Sequence, residues 1–303
     1  MKGESGGVNL NAFLSQEREK VEEALGEALL ALLPRVPEAV RPALSHGVLT
    51  GGKRLRPILC VSAFRAAGGR GDSIYALAIS LELIHAYSLM HDDLPCMDDA
   101  DLRRGEPTTH KLHGERATQV AGALLIPLAA HQAWVASNAL GLNEEMGRAL
   151  VAELSQAAGG GGMVGGQVLD LLGEEQTLSA PELDQLHRKK TGALLRAALR
   201  MGALAARADK KALRALDAYG KGVGLAFQVA DDVLDATSDA EALGKNPSDE
   251  ELGKSTYVTL FGVEEANRRS HQLVEDAIGA LRAGGIEAPE LEALARYIVE
   301  RKR

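Results

Sequence analysis

Two clusters of acidic residues constrain this chain most, because each lies in an apolar segment and is followed by basic residues. The first reads HDDLPCMDDAD from His91 to Asp101, and Arg103 and Arg104 follow it. The second reads FQVADDVLD and ends at Asp235. Grouped carboxylates beside a core are costly to bury unless cations neutralise them. Two such clusters, facing each other, could hold several divalent cations.

The chemistry of these clusters favours Mg²⁺ and a diphosphate. Carboxylate oxygens are hard ligands, which suit Mg²⁺ rather than zinc. The neighbouring Arg and Lys side chains suit phosphate oxygens. The sequence therefore indicates chemistry on a diphosphate substrate.

The composition predicts a helical protein with an aliphatic core. Hydrophobic residues make up 46% of the 303-residue chain, but aromatic residues only 3%. Ala, Leu and Glu are abundant and β-branched runs are few, which favours helix over sheet. Helical stretches are predicted at 8–33, 38–48, 57–67, 74–93, 116–140, 144–158, 163–173, 181–207, 210–235, 255–283 and 288–301. We expect one all-α domain over residues 1–303, with ten or more helices.

Charge, cysteine content and the length of the apolar runs indicate the partners and the cellular compartment to expect. The net charge is −8 and no long basic stripe occurs, so no nucleic-acid partner is expected. Cys60 and Cys96 lack metal-type or redox-type neighbours, which is typical of reduced thiols. The first 20 residues lack the apolar core of a signal peptide. The longest apolar run, about 120–130, is too short to span a bilayer, so a soluble, cytoplasmic protein is expected.

The spacing of the first cluster predicts a break in its helix. Asp92 and Asp98 are six residues apart, so a straight helix would point them in different directions. Pro95 disrupts helical continuity, and a local break there would return Asp98 to the side of Asp92. The alternative is a solvated helix end, but negative charge is unfavourable at a helix C-terminus. Arg103 and Arg104 then suit bidentate contacts with phosphate oxygens.

The second cluster has a different geometry. Asp231 and Asp235 are four residues apart and share a helix face, whereas Asp232 points about 100° away. Apolar neighbours place this helix beside the core, which disfavours a merely solvated acidic face. Lys245 and Lys254 follow in a segment rich in Gly and Pro, and could supply positive charge to the same phosphate.

Two further segments carry cations in special positions. The sequence KTG at 190–192 interrupts a helical stretch, and a kink there would aim polar groups inward, although taken alone an exposed lysine is the simpler interpretation. The turn GGKRLRP at 51–57 places three cations at a helix N-terminus, where backbone N–H groups also favour anions. His85 lies about 10 Å from Asp92 on the same helix face, a position at which a lone histidine is more often structural.

Six strings, GGKRLRP, DDLPCMDDADLRRG, GGQVLDL, KKTG, FQVADDVLD and LGKST, together resemble the short-chain trans-isoprenyl diphosphate synthases. The resemblance covers about residues 40–262, with order and spacing intact, and is strongest to the bacterial farnesyl diphosphate synthases. It implies an all-α bundle around a deep central cavity, and a homodimer. It also implies condensation of isopentenyl diphosphate with dimethylallyl or geranyl diphosphate by ionisation, condensation and elimination.

The resemblance implies roles for individual residues, with Mg²⁺ as cofactor and Mn²⁺ as a possible substitute. Asp92 and Asp98 would bind two Mg²⁺ ions and Asp231 a third. Asp235 counts among the implied metal ligands, and Asp93 and Asp232 support them. The residues implied to hold the allylic diphosphate are Arg103, Lys190, Thr191, Gln228, Lys245 and Lys254. The residues implied to hold isopentenyl diphosphate are Lys53, Arg56, His85 and Arg104. Gln167 and Asp170 match a helix that lines the cavity.

The length of the product is predicted from the helix before the first cluster. Tyr87 and Ser88 precede Asp92 by about one helical turn of ~5.4 Å, so a chain anchored at Asp92 would grow toward them. The resemblance assigns a bulky residue at this position the role of a floor. We therefore expect a fifteen-carbon product, with a twenty-carbon product as the alternative. The other interpretation is that Tyr87 only packs between helices and does not limit the product length.

One segment departs from the family. At 119–124 the family's Gly-Asp pair is missing before Ala-Leu-Leu and the segment is about two residues short. We expect this to change the local helix geometry or a contact behind the metal ligands, but not the ligands themselves.

Two other functions are disfavoured by the sequence. A terpene cyclase would need no second diphosphate site, so GGKRLRP, His85 and Arg104 argue against it. A non-catalytic subunit of a synthase would be expected to lack one acid cluster, and both are present.

Overall fold

The computed structural model describes residues 8–173, 176–237 and 255–300, which are mostly helical. In chain order the α-helices are α1 (Leu10–Leu32), α2 (Arg41–Leu49), α3 (Leu55–Ala66), α4 (Ile74–Asp92), α5 (Thr109–His113), α6 (Glu115–Ala139), α7 (Glu144–Ala158), α8 (Met163–Gly173), α9 (Ala180–His187), α10 (Ala193–Ala205), α11 (Lys210–Thr237), α12 (Tyr257–Phe261), α13 (Val263–Gly284) and α14 (Pro289–Glu300). An antiparallel ladder pairs β1 (Leu102–Arg103) with β2 (Glu106–Pro107). The prediction of an all-α fold with ten or more helices is confirmed.

Three elements differ from the sequence prediction. The predicted helix 181–207 is interrupted by a π-turn at Arg188–Gly192, which separates α9 from α10. The predicted helix 255–283 is two helices, because Gly262 adopts a φ of +78° between α12 and α13. The small β1–β2 ladder and α5 were not predicted, because elements this short produce no periodic pattern.

Local sequence explains where several helices begin and end. The Asn143 side chain accepts a hydrogen bond of 2.9 Å from the Met146 N–H at the start of α7. Ser179 and Glu182 form a capping box at the start of α9. Gly285 takes the left-handed conformation, with a φ of +75°, and ends α13.

Helix α4 occupies the centre of an aliphatic core and packs against α1, α3 and α6. Most of its side chains are buried, and the core as a whole is built chiefly from Leu, Ala, Val and Ile. Tyr219 is the largest fully buried side chain, and its hydroxyl donates to the Leu291 carbonyl oxygen over 2.7 Å. Because α4 is buried along its length, its last residue, Asp92, lies at the edge of this core.

Two of the described helices, α4 and α6, are long and apolar enough to cross a bilayer by length and composition alone. Both are longer than the apolar run noted in the sequence. The relevant stretch of α4 is 67% buried within the protein, which is typical of the core helix of a soluble protein, and that of α6 is 44% buried. The absence of a membrane span therefore stays a prediction.

The close contact of α10 with α3 depends on a glycine. A Cβ atom at Gly202 would overlap the carbonyl oxygen of Cys60, which belongs to the backbone of α3 and cannot move independently. Gly279, in the middle of α13, is exposed and would meet no atom within 4 Å. Substitution by alanine can therefore be compared at a closely packed glycine, Gly202, and at an exposed one, Gly279.

We expect Gly202→Ala to destabilise the protein by about 2–3 kcal/mol, because the added methyl group forces the two helices apart. Gly279→Ala, the matched control, should raise stability by about 0.5–1 kcal/mol through helix propensity. Urea denaturation followed by circular dichroism measures both changes. A Gly202→Ala variant as stable as the parent would contradict this account of the contact.

Candidate active site

The first acid cluster sits on a turn that folds back onto the end of α4. Beyond Asp92 the helix stops, and the backbone N–H of Asp98 donates to the Asp92 carbonyl oxygen over 2.9 Å. The N–H of Ala100 likewise donates to the Asp93 carbonyl oxygen over 3.2 Å. The chain therefore returns Asp98 to the end of the helix. The predicted break near Pro95 is confirmed.

The Asp92 carboxyl group lies in an environment that suits a bound cation. Burial, together with the charges of Asp98 and Asp93, raises its pKa to about 6, although Lys190 and Arg103 act in the opposite direction. A carboxylate that has lost hydration gains most from a nearby positive charge. These oxygen donors therefore fit a hard divalent cation such as Mg²⁺.

Asp93, the next residue after Asp92, forms an ion pair with Arg103. The Nε atom of Arg103 donates to the Asp93 Oδ1 atom over 2.6 Å, and its Nη2 atom lies 2.5 Å from the same oxygen. Burial raises the pKa of Asp93, and the Arg103 guanidinium opposes this rise. The β1–β2 turn holds Arg103 and Arg104 next to each other, and Arg104 adopts a φ of +57°.

One cleft, with a cavity volume of about 180 Å³, is lined by residues of both acid clusters. Its wall includes Asp98 from the first cluster and Asp232 from the second. Between them it is lined by Lys190, Thr191 and Gln228, three of the residues implied to hold the allylic diphosphate. The structure therefore brings together side chains from three separate parts of the sequence.

The π-turn at Arg188–Gly192 sets the positions of Lys190 and Thr191. The Lys190 Nζ atom lies 2.5 Å from Asp170 Oδ2 on α8, and the Thr191 hydroxyl donates to the Gln228 Oε1 atom over 2.8 Å. A Cβ atom at Gly166 would overlap the Lys190 backbone, so α8 packs directly on the turn. The kink predicted from KTG is confirmed, and Lys190 is partly buried rather than exposed.

Within the second cluster, Asp232 has a structural contact that the sequence did not predict. Its Oδ2 atom accepts a hydrogen bond of 2.7 Å from the backbone N–H of Tyr257, at the start of α12. His187 stacks on the Tyr257 ring and lies 3.9 Å from the same oxygen, and burial lowers the pKa of His187 to about 4. Asp232 thus ties α11 to α12. Asp231 and Asp235 are partly exposed.

A second cleft is rich in cations and is lined by other residues of the turn that carries Asp98. It is lined by His85, Arg103 and Arg104, together with Arg54 and Glu82. Burial, and then the neighbouring arginines, lower the pKa of His85 well below its ordinary value, so its ring is neutral at pH 7. Its Nδ1 atom is buried and has no hydrogen-bond partner among the residues that the structure describes.

The turn GGKRLRP meets this second cleft. Arg104 donates to the Gly51 carbonyl oxygen, and to that of Thr50 over 3.2 Å. Burial lowers the pKa of Arg56 to about 10, so its guanidinium is charged at neutral pH. The Nε atom of Arg56 is buried without a hydrogen-bond partner in the described part of the chain. Lys53 is exposed on the same turn.

Tyr87, the residue predicted to limit product length, is partly buried and packs against the ring of His91 on the next turn of α4. It makes an edge-to-face contact with the His91 ring, with centroids 4.8 Å apart. A Cβ atom at Gly122 would overlap that ring, so the segment 119–124 provides the space for His91. Ser88 is turned back on its own helix, donating to the His85 carbonyl oxygen over 2.8 Å.

Two of the predicted residues, Lys245 and Lys254, lie outside the described residues. Within residues 8–173, 176–237 and 255–300, no three His, Cys, Asp or Glu side chains are grouped closely enough to enclose a metal ion by themselves. This is compatible with Mg²⁺, which usually takes one or two carboxylates and completes its shell with water and substrate phosphates.

Comparison with known proteins identifies the family. Residues 37–290 match the family model described as polyprenyl synthetase. The chain belongs to the polyprenyl synthetase family. The sequence resemblance to isoprenyl diphosphate synthases is thereby confirmed.

Individual relatives cover almost the whole chain. The farnesyl diphosphate synthase of Escherichia coli K12 is 44% identical over 283 residues, covering 90% of this chain and 93% of the relative. Geranylgeranyl pyrophosphate synthase 12 of Arabidopsis thaliana is 38% identical over 98% of this chain and 84% of the relative. The structure of a Helicobacter pylori geranyltransferase, complexed with magnesium and isoprenyl diphosphate, aligns with a TM-score of 0.80, 32% identity and 98% coverage of both chains.

The role of the folded-back turn can be tested with one substitution at two adjacent positions. Asp98→Asn should weaken Mg²⁺ binding in the presence of inorganic diphosphate by roughly tenfold or more, because Asp98 lines the cleft. Asp99→Asn is the control, since the Asp99 side chain is 62% exposed and asparagine tolerates its φ of +44°. Isothermal titration calorimetry measures both. Equal losses in the two variants would refute a specific role for Asp98.

Proposed function

We propose that this protein is a trans-prenyltransferase that makes farnesyl diphosphate. It would condense isopentenyl diphosphate with dimethylallyl and then geranyl diphosphate, by ionisation, condensation and elimination. The observation that carries the proposal is that one turn, 92–104, contributes residues to two separate clefts. It supplies Asp98 to the acidic cleft, and Arg103 and Arg104 to the cationic one. Such a pair of sites suits two diphosphate substrates held side by side.

In the proposed site, Asp92, Asp98, Asp231 and Asp235 hold Mg²⁺, with three ions bound in all and Mn²⁺ as a possible substitute. Bound Mg²⁺ neutralises the leaving diphosphate and acts as a Lewis acid toward it. The raised pKa of Asp92 and its oxygen chemistry support this assignment. A relative whose structure contains magnesium and isoprenyl diphosphate supports it as well.

The allylic diphosphate would be held by Lys190, Thr191 and Gln228 in the acidic cleft, and by Arg103 from the neighbouring turn 92–104. Lys190 and Thr191 are preset by their bonds to Asp170 and Gln228, so little side-chain entropy is lost when substrate binds. Lys245 and Lys254 are proposed to contribute to the same site from the sequence resemblance alone. Asp93 would act through Arg103, which it holds in place.

Isopentenyl diphosphate would bind in the cationic cleft through Lys53, Arg56, His85 and Arg104. A neutral, buried His85 can offer a hydrogen bond without adding charge, while the arginines neutralise phosphate oxygens. No protein nucleophile is needed, because the double bond of isopentenyl diphosphate attacks the allylic cation. The proton lost afterwards can pass to the departing diphosphate. A terpene cyclase would have no use for this second cleft.

Mass spectrometry of the products tests the proposed function. The protein should be supplied with isopentenyl diphosphate, Mg²⁺, and dimethylallyl, geranyl or farnesyl diphosphate in turn. We expect farnesyl diphosphate to dominate with the first two acceptors and little extension of the third. A twenty-carbon product would favour the alternative that the similarity to a geranylgeranyl pyrophosphate synthase supports. A cyclised hydrocarbon, or no condensation, would refute the proposal.

Product length should depend on the ring of Tyr87. Tyr87→Ala removes the floor and should lengthen the main product by at least one five-carbon unit, because the chain can then grow further along α4. Tyr87→Phe keeps the ring and its contact with His91, so it should leave the product length unchanged. Chromatography of the dephosphorylated products distinguishes the two. Unchanged length in a folded Tyr87→Ala variant would assign the limit to another residue.

We further propose that the protein is a cytoplasmic homodimer, with α6 at the interface. One broad side of α6 exposes apolar side chains, among them Val120 and Ile126, which are 45% and 40% exposed. Ile126→Glu should shift the protein toward monomers, because a charge would be buried at the interface. Leu30→Glu is the control, since Leu30 is 74% exposed on α1. Light scattering after size-exclusion chromatography measures the mass, and a monomeric parent protein would refute the dimer.

A further inference from the structure

One residue of the GGKRLRP turn is enclosed rather than directed at a substrate. Arg54 adopts a φ of +47°, and its side chain is only 3% exposed. Its Nε and Nη2 atoms donate to the two carboxylate oxygens of Glu22 on α1, over 2.7 and 3.2 Å. Its Nη1 atom donates to Glu82 on α4 over 2.8 Å, and Nη2 also donates to the Val48 carbonyl oxygen over 3.2 Å. Each of the three guanidinium nitrogens thus donates at least one hydrogen bond to the protein.

Glu82 is the buried member of this pair of acids. Its side chain is 3% exposed, whereas that of Glu22 is 37% exposed. Glu82 precedes His85 by three residues on α4, so both project from the same side of the helix into the cationic cleft. Its second oxygen, Oε2, is buried and accepts no hydrogen bond from the described residues.

The bond between Arg54 and Glu82 matters because of the backbone that it holds. A residue with a side chain is disfavoured at positive φ, so the turn needs an external restraint to keep Arg54 in that conformation. Lys53 precedes Arg54, and Arg56 follows two residues later at the start of α3. The direction of both cations therefore depends on the backbone angles of Arg54.

We propose that Glu82 is a positioning residue for the isopentenyl diphosphate site, which holds the turn 51–56 in its binding conformation through Arg54. This inference rests on the proposed function, and it adds a residue that never touches the substrate. Glu82 would act before the substrate arrives. Its effect should therefore fall on the binding of one substrate only.

A purely electrostatic role for Glu82 predicts the opposite result. Its negative charge lies close to Arg56 and Arg104, in a cleft meant for an anion. If charge alone mattered, neutralising Glu82 would tighten the binding of isopentenyl diphosphate. If positioning matters more, the same change would weaken binding, because Arg54 loses a buried charged partner and the turn relaxes. The sign of the change in KM decides between the two.

The test compares Glu82→Gln with the parent protein in steady-state assays. The substitution removes the charge and keeps the shape of the side chain. We expect KM for isopentenyl diphosphate to rise roughly tenfold or more, as is usual for the loss of a hydrogen bond between charged groups. KM for geranyl diphosphate should stay within about twofold, because the contacts of the acidic cleft are untouched.

Glu17→Gln is the matched control. Glu17 is another buried carboxylate, with its side chain 7% exposed, and it accepts hydrogen bonds from Arg65 over 2.8 Å and Tyr75 over 2.6 Å. It lines neither cleft. This variant should lose thermal stability, measured by circular dichroism, without changing the ratio of the two KM values.

Glu22→Gln keeps the test decisive if Glu82→Gln does not fold. It removes the charge from the partly exposed partner of Arg54, so it should raise KM for isopentenyl diphosphate in the same direction but by a smaller factor. An unchanged or lower KM in the folded variants would overturn the inference. A parent protein that does not consume isopentenyl diphosphate would instead refute the proposed function, and the two failures are thereby distinguished.

Discussion

The buried end of α4 is the constraint on which the site depends. Helix α4, most of whose side chains are buried, ends in Asp92, and burial raises the pKa of that carboxyl group to about 6. The backbone bond from Asp98 to Asp92 then adds a second carboxylate at the same place. Carboxylates crowded at the edge of an apolar core are unfavourable unless cations accompany them. A cation bound beside Asp92 would relieve this crowding of negative charge.

Some of the arginine and lysine side chains near the site are paired with carboxylates of the protein, and others line the clefts. Arg54 is neutralised by Glu22 and Glu82, and Arg103 by Asp93. These pairs set the shape of the turns and limit repulsion between neighbouring arginines. Arg104 lines the cationic cleft, and Lys190, which is paired with Asp170, lines the acidic one. Arg54 only shapes the site, whereas Arg103, Arg104 and Lys190 are proposed to contact a diphosphate.

Sequence reasoning predicted the helices, the break near Pro95 and the kink at Lys190, because each leaves a local signature of period, proline or glycine. It did not predict the contact of Asp232 with Tyr257, or the pairing of Arg54 with Glu82. Those contacts join residues from different helices, so they depend on packing and leave no local pattern. The segment 119–124 lies between these cases: the sequence shows its departure from the family, but the close contact of Gly122 with His91 depends on how α6 packs against α4.

The central claim is that the two acid clusters act on one set of metal ions across one cleft. Anomalous diffraction from crystals grown with Mn²⁺ and a non-reactive allylic diphosphate analogue tests it most directly. The account predicts manganese peaks beside Asp92 and Asp98 and a further peak beside Asp231, all bridged by the same diphosphate. Peaks confined to one cluster, or a diphosphate bound without metal contacts, would contradict it.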